Sequence, residues 1–586
     1  MRSLKHINKY FFKYKWRLLL GFVFVGISNY YAIDSFTYAR KAIDYIKNNI
    51  NITDNATIMH ELVIYGGIIL GLAVLSGVFL FLTRQSIIVM SRLIEYDLKN
   101  EIYGHYQKLD ISFYRRNNTG DLMNRISEDV SKVRMYIGPA VMYILNTSFR
   151  FALVITAMLR VDVTLTLYVL IPLPILAVAI YFVSNTINKK GTKIQEQLSG
   201  ITTMAQEAFS GIRVLKAYGR EDHSASEFEK QSSEYRKRTM GLVKVESLFQ
   251  PFIIFLIGLS NIFIIYIGGK LAIEHKISYG NIVEFILYVN ALSWPIASLG
   301  WVTSLIQRAA ASQTRINEFL QTQPEIYNPI NSPSKLEGAI EFKEVCFSYS
   351  DSKIKALNNI SFQLKKGDTL AIIGRTGSGK STIANLLCRL YDVSSGEILL
   401  DEKNIKNVNL FDLRSQIGYV PQEVFLFSDT ISHNIGFGLD KNKQNSSDIE
   451  IAARNAAIYS NIKDFPEKFE TIVGERGITL SGGQKQRISI ARAILKQPQI
   501  LIFDDCLSAV DTETEEEILS NLKEVMKNKT SIIISHRVSS VKNANNIIVL
   551  DHGQIVEQGN HQQLMEKQKV YFELFKMQQL EKQEQS

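Results

Sequence analysis

One stretch has residue types and spacing that point directly to chemistry: Gly374-Arg375-Thr376-Gly377-Ser378-Gly379-Lys380-Ser381, followed by Thr382. Glycines let a backbone wrap closely around phosphate oxygens, while successive N–H groups and a helix N-terminus offer partial positive charge. Lys380 adds a full charge, and the hydroxyl of Ser381 can ligate a divalent cation. The stretch follows the apolar run Thr369 to Ile373 and precedes the helical pattern Thr382 to Leu390, the strand-loop-helix setting that G-x-x-x-x-G-K-S requires. A second acidic strand, Ile500-Leu-Ile-Phe-Asp504-Asp505, places Asp504 at the C-terminal edge of a sheet, where cations and nucleotides bind in open α/β folds. His536 follows another apolar strand, Ile532 to Ser535.

These residues need a soluble α/β domain to position them, yet the first half of the chain is of another kind. Mean hydropathy is +0.01 although 21% of residues are charged, as expected when a strongly apolar part is averaged with a polar one. A helix needs about 20 mainly apolar residues to cross the hydrocarbon core. Six runs qualify: Leu18 to Phe36, Leu62 to Leu82, Ile137 to Leu159, Val163 to Val183, Phe252 to Gly269 and Ile282 to Trp301. Long polar helical stretches separate spans two and three and spans four and five, and these are expected to project as hairpin arms. Both stretches are rich in Lys and Arg, which puts them and both termini on the cytoplasmic side of the cell's inner membrane.

The opening segment carries Arg2, Lys5, Lys9, Lys13, Lys15 and Arg17 with several aromatic residues, and is expected to lie on the membrane surface against lipid. No small-residue cleavage site follows, so the first apolar run reads as a span. The net charge of +9 is spread without a dense basic block, which excludes a nucleic-acid partner. Cys346, Cys388 and Cys506 lack metal-ligand spacing. Glu284, within a span, reads as a carboxylate bonded inside the helix bundle ahead of a cation or proton site. The expected architecture is a multi-pass α-helical membrane domain over residues 1–310, a linker over 311–337 and an α/β P-loop ATPase domain over 338–580.

With the phosphate loop and the acidic strand, Leu480-Ser-Gly-Gly-Gln484 completes a set that resembles the ABC transporter superfamily. Six spans before a nucleotide-binding domain resemble a half-exporter, and Ser112-Phe-Tyr, Thr119-Gly-Asp-Leu122 and Gly211-Ile-Arg-Val-Leu-Lys216 agree with it. The resemblance implies ATP and Mg²⁺ as ligands, with Tyr349 stacking on adenine and Ser381, Gln422 and Asp504 around the metal. It implies that Gln422 and His536 sense the metal, the attacking water and the γ-phosphate. Ser481, Gly482, Gly483 and Gln484 would complete the site of a second chain, and Ser508 to Asp511 would cross between paired domains.

Two positions depart from the family pattern. Asp505 stands where most members carry Glu to orient or deprotonate water, and Ile472, in Thr471-Ile-Val-Gly-Glu-Arg-Gly477, stands where exporters usually carry Glu. An Asp with an intact signature resembles the degenerate-site subunit of bacterial heterodimeric multidrug exporters, so the expected partner is a second half-exporter, with a homodimer as the alternative. The implied function is ATP-driven export of a small hydrophobic or amphipathic substrate by alternating access, drugs first, lipids second and peptides third. An ATP-gated channel or non-transporting regulator is the competing class. A soluble ABC ATPase of nucleic-acid repair or translation conflicts with the spans.

Overall fold

The computed structural model describes residues 2–49, 54–328, 330, 332–349, 354–440, 442, 444–474 and 477–585. The chain divides into two compact units, one of Met1–His105 with Gly120–Thr322, the other of Tyr106–Thr119 with Gln323–Ser586.

In the first unit the described residues form six helices long and apolar enough to cross a membrane: Lys15–Asn49, Asn55–Tyr106, Thr119–Val161, Val163–Ser210, Glu221–Ile273 and Tyr279–Gln321. Each contains one expected span but runs well beyond it. At 1.5 Å per residue the 52-residue helix Asn55–Tyr106 is about 78 Å long, against a hydrocarbon core of about 30 Å. The arms are therefore continuations of the spans. Hydropathy falls after Leu82, but no proline interrupts residues 83–106, and Ile87, Met90, Ile94, Leu98 and Ile102 repeat at helical spacing, all at most 1% exposed. The last helix likewise continues to Gln321, burying Ile316 and Phe319.

The basic opening segment spends part of its charge inside the unit. Lys9 pairs with Glu101 at 2.5 Å and Lys13 with Asp97 at 2.6 Å, while the Tyr10 hydroxyl donates to Glu101. Phe12 and Trp16 point outward, 76% and 70% exposed.

Glu284 is buried and bonded. One carboxylate oxygen accepts from the hydroxyls of Thr37 (3.1 Å) and Tyr288 (2.8 Å), and the other accepts from the Asn281 amide (3.0 Å) with Arg40 at 3.6 Å. Because Thr37 and Arg40 lie on the first spanning helix and the rest on the sixth, this carboxylate ties the two together. Asp44 adds a bond to the Gly280 N–H at 2.8 Å.

The second unit contains two sheets. The smaller is antiparallel, ordered β2-β1-β4-β5, from β1 (Ile340–Ser348), β2 (Lys355–Leu364), β4 (Ser395–Leu400) and β5 (Lys403–Asn404). The larger is ordered β10-β9-β3-β8-β7-β6, from β3 (Thr369–Gly374), β6 (Ile417–Val420), β7 (Ile500–Asp504), β8 (Thr530–Ile534), β9 (Asn546–Asp551) and β10 (Gln554–Gly559). All its neighbours pair in parallel except the edge strand β10.

The apolar runs of the large sheet are continuous because both of its faces are covered. Along β3, β7 and β8, alternate residues enter two different cores: Ile372, Ile502 and Ile532 pack with the small sheet, and Ile373, Phe503 and Ile533 pack with the helical side. The short helix Ile111–Arg116, from the link between the second and third spanning helices, belongs to this unit. Asp110 caps it by accepting from the Phe113 N–H, and also accepts from the Glu325 N–H at 2.7 Å.

The bonded state of Glu284 makes a testable difference between two substitutions. Glu284→Gln keeps one of the two acceptor oxygens, enough for the Thr37 and Tyr288 hydroxyls, whereas Glu284→Leu removes both and strands the Thr37, Tyr288 and Asn281 donors, costing about 1–2 kcal/mol more. Thermal unfolding of the detergent-solubilised protein should show the Leu variant melting lower than the Gln variant; equal melting would mean the cluster contributes nothing to packing.

Candidate functional site

Parallel pairing sends the ends of neighbouring strands out of one edge of the sheet. In the order β3-β8-β7-β6, those ends deliver in turn the loop Gly374 to Lys380, then His536, then Asp504 with Asp505, then Gln422. Residues separated by more than 150 positions are thereby gathered at one sheet edge. A cleft there is lined by Lys380, Ser381, Gln422, Asp504, Asp505 and His536, and by Tyr349 and Thr382 at one side.

The loop's shape depends on its glycines. Gly377 and Gly379 hold φ of +80° and +99°, and a Cβ on Gly379 would stand 2.4 Å from the Ala356 carbonyl oxygen. A side chain at Gly374 would meet the Leu550 carbonyl oxygen at 2.1 Å. The helix Lys380–Leu387 begins directly after this turn, so its free N–H groups open on the cleft.

Lys380 is 6% exposed, and its ammonium donates to the carbonyls of Gly374 (2.9 Å) and Arg375 (2.8 Å). Burial lowers its pKa, while the charges of Asp505 and Asp504 oppose that shift. The buried Ser378 hydroxyl has no hydrogen-bond partner among the described residues, and Ser378 does not line the cleft. Arg375 contributes its backbone carbonyl and keeps an exposed side chain outside the cleft lining.

The Ser381 hydroxyl donates to Asp504 Oδ1 at 3.0 Å. Asp504 is 2% exposed, and burial raises its pKa, followed in the same direction by the charge of Asp505, with the Ser381 bond opposing. Gln422 Nε2 approaches Asp505 Oδ2 at 3.5 Å. Asp505 itself adopts φ +46°, a left-handed conformation that Asp tolerates better than most residues. Burial, followed by the charge of Lys380, lowers the His536 pKa, which keeps the imidazole neutral over a wider pH range. The Tyr349 hydroxyl shares a hydrogen bond with Thr382 Oγ1 at 3.1 Å, which fixes the ring beside the cleft.

Hydroxyl, carboxylate and amide oxygens here are hard donors, and few in number. They fit a Mg²⁺ ion, which keeps several waters and takes one or two protein ligands with substrate phosphates.

Ser481, Gly482, Gly483 and Gln484 do not line this cleft. They form the N-terminus of the helix Gly482–Leu495, where Ser481 accepts from the Gln484 N–H and the Gln484 side chain accepts from the Ser481 N–H. Ser508 donates to the Asp505 carbonyl at 3.0 Å and contacts Gln486 at 3.2 Å; Asp511 caps the helix Thr512–Met526. Ile472 is 63% exposed and bridges to Thr430; Glu475 and Arg476 of the same expected motif lie outside the described residues.

The cleft also gains a residue that motif spacing did not indicate. Arg115, on the helix Ile111–Arg116, lines it with its guanidinium carbon 4.6 Å from the Tyr349 ring centroid. Its only sequence signal is its place just after Ser112-Phe-Tyr.

Residues 19–296 match the ABC transporter transmembrane region, and residues 357–508 match the ABC transporter family. The chain is 36% identical to a Bacillus subtilis protein named "Probable multidrug resistance ABC transporter ATP-binding/permease protein YheI", over 87% of this chain and 89% of the other. It is 35% identical to an ATP-dependent lipid A-core flippase of Haemophilus influenzae over 87% of each chain. A bacterial Atm1-family ABC exporter solved with ATP bound superposes with a TM-score of 0.77 and 26% identity, over 96% of this chain and 98% of the other.

The lowered His536 pKa sets the sign of a pH effect. Unfolded His536 takes up a proton near its ordinary value of about 6.5, while the folded ring resists, so stability is lost as pH falls below about 6.5. Thermal melts between neutral and mildly acid pH should show this loss in the wild type and a smaller one in His536→Gln. Parallel pH profiles would contradict the buried, neutral imidazole.

Proposed function

The chain belongs to the ABC transporter family and is an exporter subunit whose ATP hydrolysis drives transport; on that premise we propose that it is the slow-hydrolysing half of a heterodimer that moves small hydrophobic or amphipathic molecules out of the cell. Exporters of this family work as dimers. The observation that carries the pairing is the division of the machinery within one chain: the phosphate loop lines a cleft from which Ser481 to Gln484 are absent. Those four residues, at the exposed start of their helix, are free to cover the cleft of a partner subunit, whose own signature covers this one.

In this reading the chain's residues act as follows. Tyr349 offers a ring face to adenine. The N–H groups of the Gly374 to Thr382 loop and the ammonium of Lys380 hold the β- and γ-phosphates. Ser381, Asp504 and Gln422 hold Mg²⁺, which supplies charge neutralisation on the phosphates when bound. His536, kept neutral by burial, orients against the γ-phosphate. Asp505 holds the attacking water, but its carboxylate is one methylene shorter than the Glu usual in the family, and a misplaced base forfeits much of a contribution of about 10²- to 10⁴-fold. ATP therefore binds here and turns over slowly. The closed dimer lasts longer than one hydrolysis at the partner's site, and the membrane helices switch between inward- and outward-facing arrangements.

Drug-like substrates rank first and lipids second because the named relatives are a probable multidrug resistance transporter of Bacillus subtilis and the lipid A-core flippase. Both termini and the ATPase unit face the cytoplasm of the inner membrane, on the strength of the basic arms.

Two measurements test the proposal. The native mass of the complex purified from its own membrane should correspond to this 66.6 kDa chain with a different second half-exporter. Asp505→Glu should raise ATP turnover of that complex at least about tenfold at this chain's site if base placement limits it. A stable homodimer with two fast sites would overturn both parts.

A further inference from the structure

We propose that Arg115 is a base-stacking residue of the nucleotide site, so that the adenine ring is held between the Tyr349 ring and the Arg115 guanidinium. The inference rests on reading the cleft as the ATP site and adds a residue supplied by the link between the second and third spanning helices.

The geometry around Tyr349 leaves one role for Arg115. Its neighbours Phe347 and Tyr391 meet the ring in T-shaped contacts, at centroid distances of 4.9 Å and 5.4 Å with interplanar angles of 83° and 89°. The hydroxyl end is held by Thr382 at 3.1 Å. The guanidinium carbon of Arg115 lies over the ring at 4.6 Å from the centroid, and its Nη1 donates to the Tyr391 hydroxyl at 3.4 Å. Among the residues of Tyr106–Thr119, Arg115 alone lines the cleft that also holds Lys380 and Ser381. A planar, weakly hydrated cation that lies over a phenol ring can also stack on a purine, and adds attraction toward a polyanion next to it.

Entry of the base requires only that the long Arg115 side chain swing outward and close again. Its helix can stay in place, because Asp110 accepts from the Glu325 N–H at 2.7 Å and Arg116 pairs with the Glu325 carboxylate at 2.5 Å. The helix Ile111–Arg116 is joined to the second spanning helix, which ends at Tyr106, and to the third, which begins at Thr119. Base occupancy is therefore read by a side chain on the covalent link between two membrane spans, and the signal is specific to a nucleoside triphosphate rather than to phosphate alone.

The test uses the purified full-length complex in detergent, with trace 8-azido-ATP photolabelling of this chain competed by ATP or by inorganic tripolyphosphate. Arg115→Ala and Arg115→Met should each raise the ATP concentration needed for half-competition by about three- to thirty-fold, the range expected for one stacked cation. The tripolyphosphate midpoint should move by less than about twofold, and Arg115→Lys should recover little, since an ammonium cannot stack as a plane. An unchanged or tighter ATP midpoint in both variants would overturn the proposal. An equal shift for tripolyphosphate would do so too, because it would reduce Arg115 to a general charge. Lys380→Ala should weaken both competitors; if it moved neither, the cleft itself would be misread, a failure distinct from that of Arg115.

Discussion

Burying an ammonium is costly unless its protons are taken up, and the ATPase unit is organised around meeting that cost at Lys380. Two carbonyls of its own loop accept from it, and two carboxylates at the end of β7 supply counter-charge. Carbonyls can be aimed inward only if the loop turns back on itself, which is why left-handed φ values occur at Gly377 and Gly379 and why no side chain fits at Gly374. The carboxylates can be near only if β7 lies one strand away from β3, with β8 between them. A desolvated cation at the start of a helix is a strong site for a triphosphate, since the low local dielectric that makes it costly also strengthens its attraction to an anion.

The same geometry leaves the site unfinished within a single chain. The cleft has its phosphate loop, acidic strand end and histidine, but the residues of the signature stand elsewhere, engaged in capping their own helix. A capping box is also what a purely structural S-x-x-Q would form. Of its two adjacent glycines, Gly483 packs against the Ala509 backbone, where an added Cβ would stand 2.9 Å from the carbonyl oxygen, so the close approach of the Ser508 to Asp511 loop requires a glycine there. Asp505 adds a second asymmetry, sitting in a backbone conformation that few side chains adopt.

Much of this was legible in sequence because the chemistry is concentrated in short motifs at strand ends. The phosphate loop, Asp504 and His536 each follow an apolar run, and a parallel sheet necessarily sends such ends to one edge. Span positions were legible for a similar reason, through hydropathy. What hydropathy did not reveal was how far each helix continues, because the extension past Leu82 is held by an apolar stripe at Ile87, Met90, Ile94, Leu98 and Ile102 rather than by overall composition. The role of Lys9 and Lys13 in pairing with Glu101 and Asp97 was also hidden, since their partners lie more than 80 residues away. Arg115 was invisible for the strongest version of the same reason: its contact with Tyr349 spans 234 residues, and no motif spacing links the two.

A cleft built around a phosphate loop in one unit and six long helices in the other make an engine only if nucleotide turnover moves substrate against its gradient. Accumulation of a fluorescent amphipathic substrate in inside-out membrane vesicles, followed with ATP, with a non-hydrolysable ATP analogue, and in a Lys380→Ala complex, measures this directly. The account predicts ATP-dependent accumulation above the outside concentration that the analogue does not support and that Lys380→Ala sharply reduces. Movement that stops at equal concentrations, or that the analogue sustains as well as ATP does, would show a gated pore and contradict it.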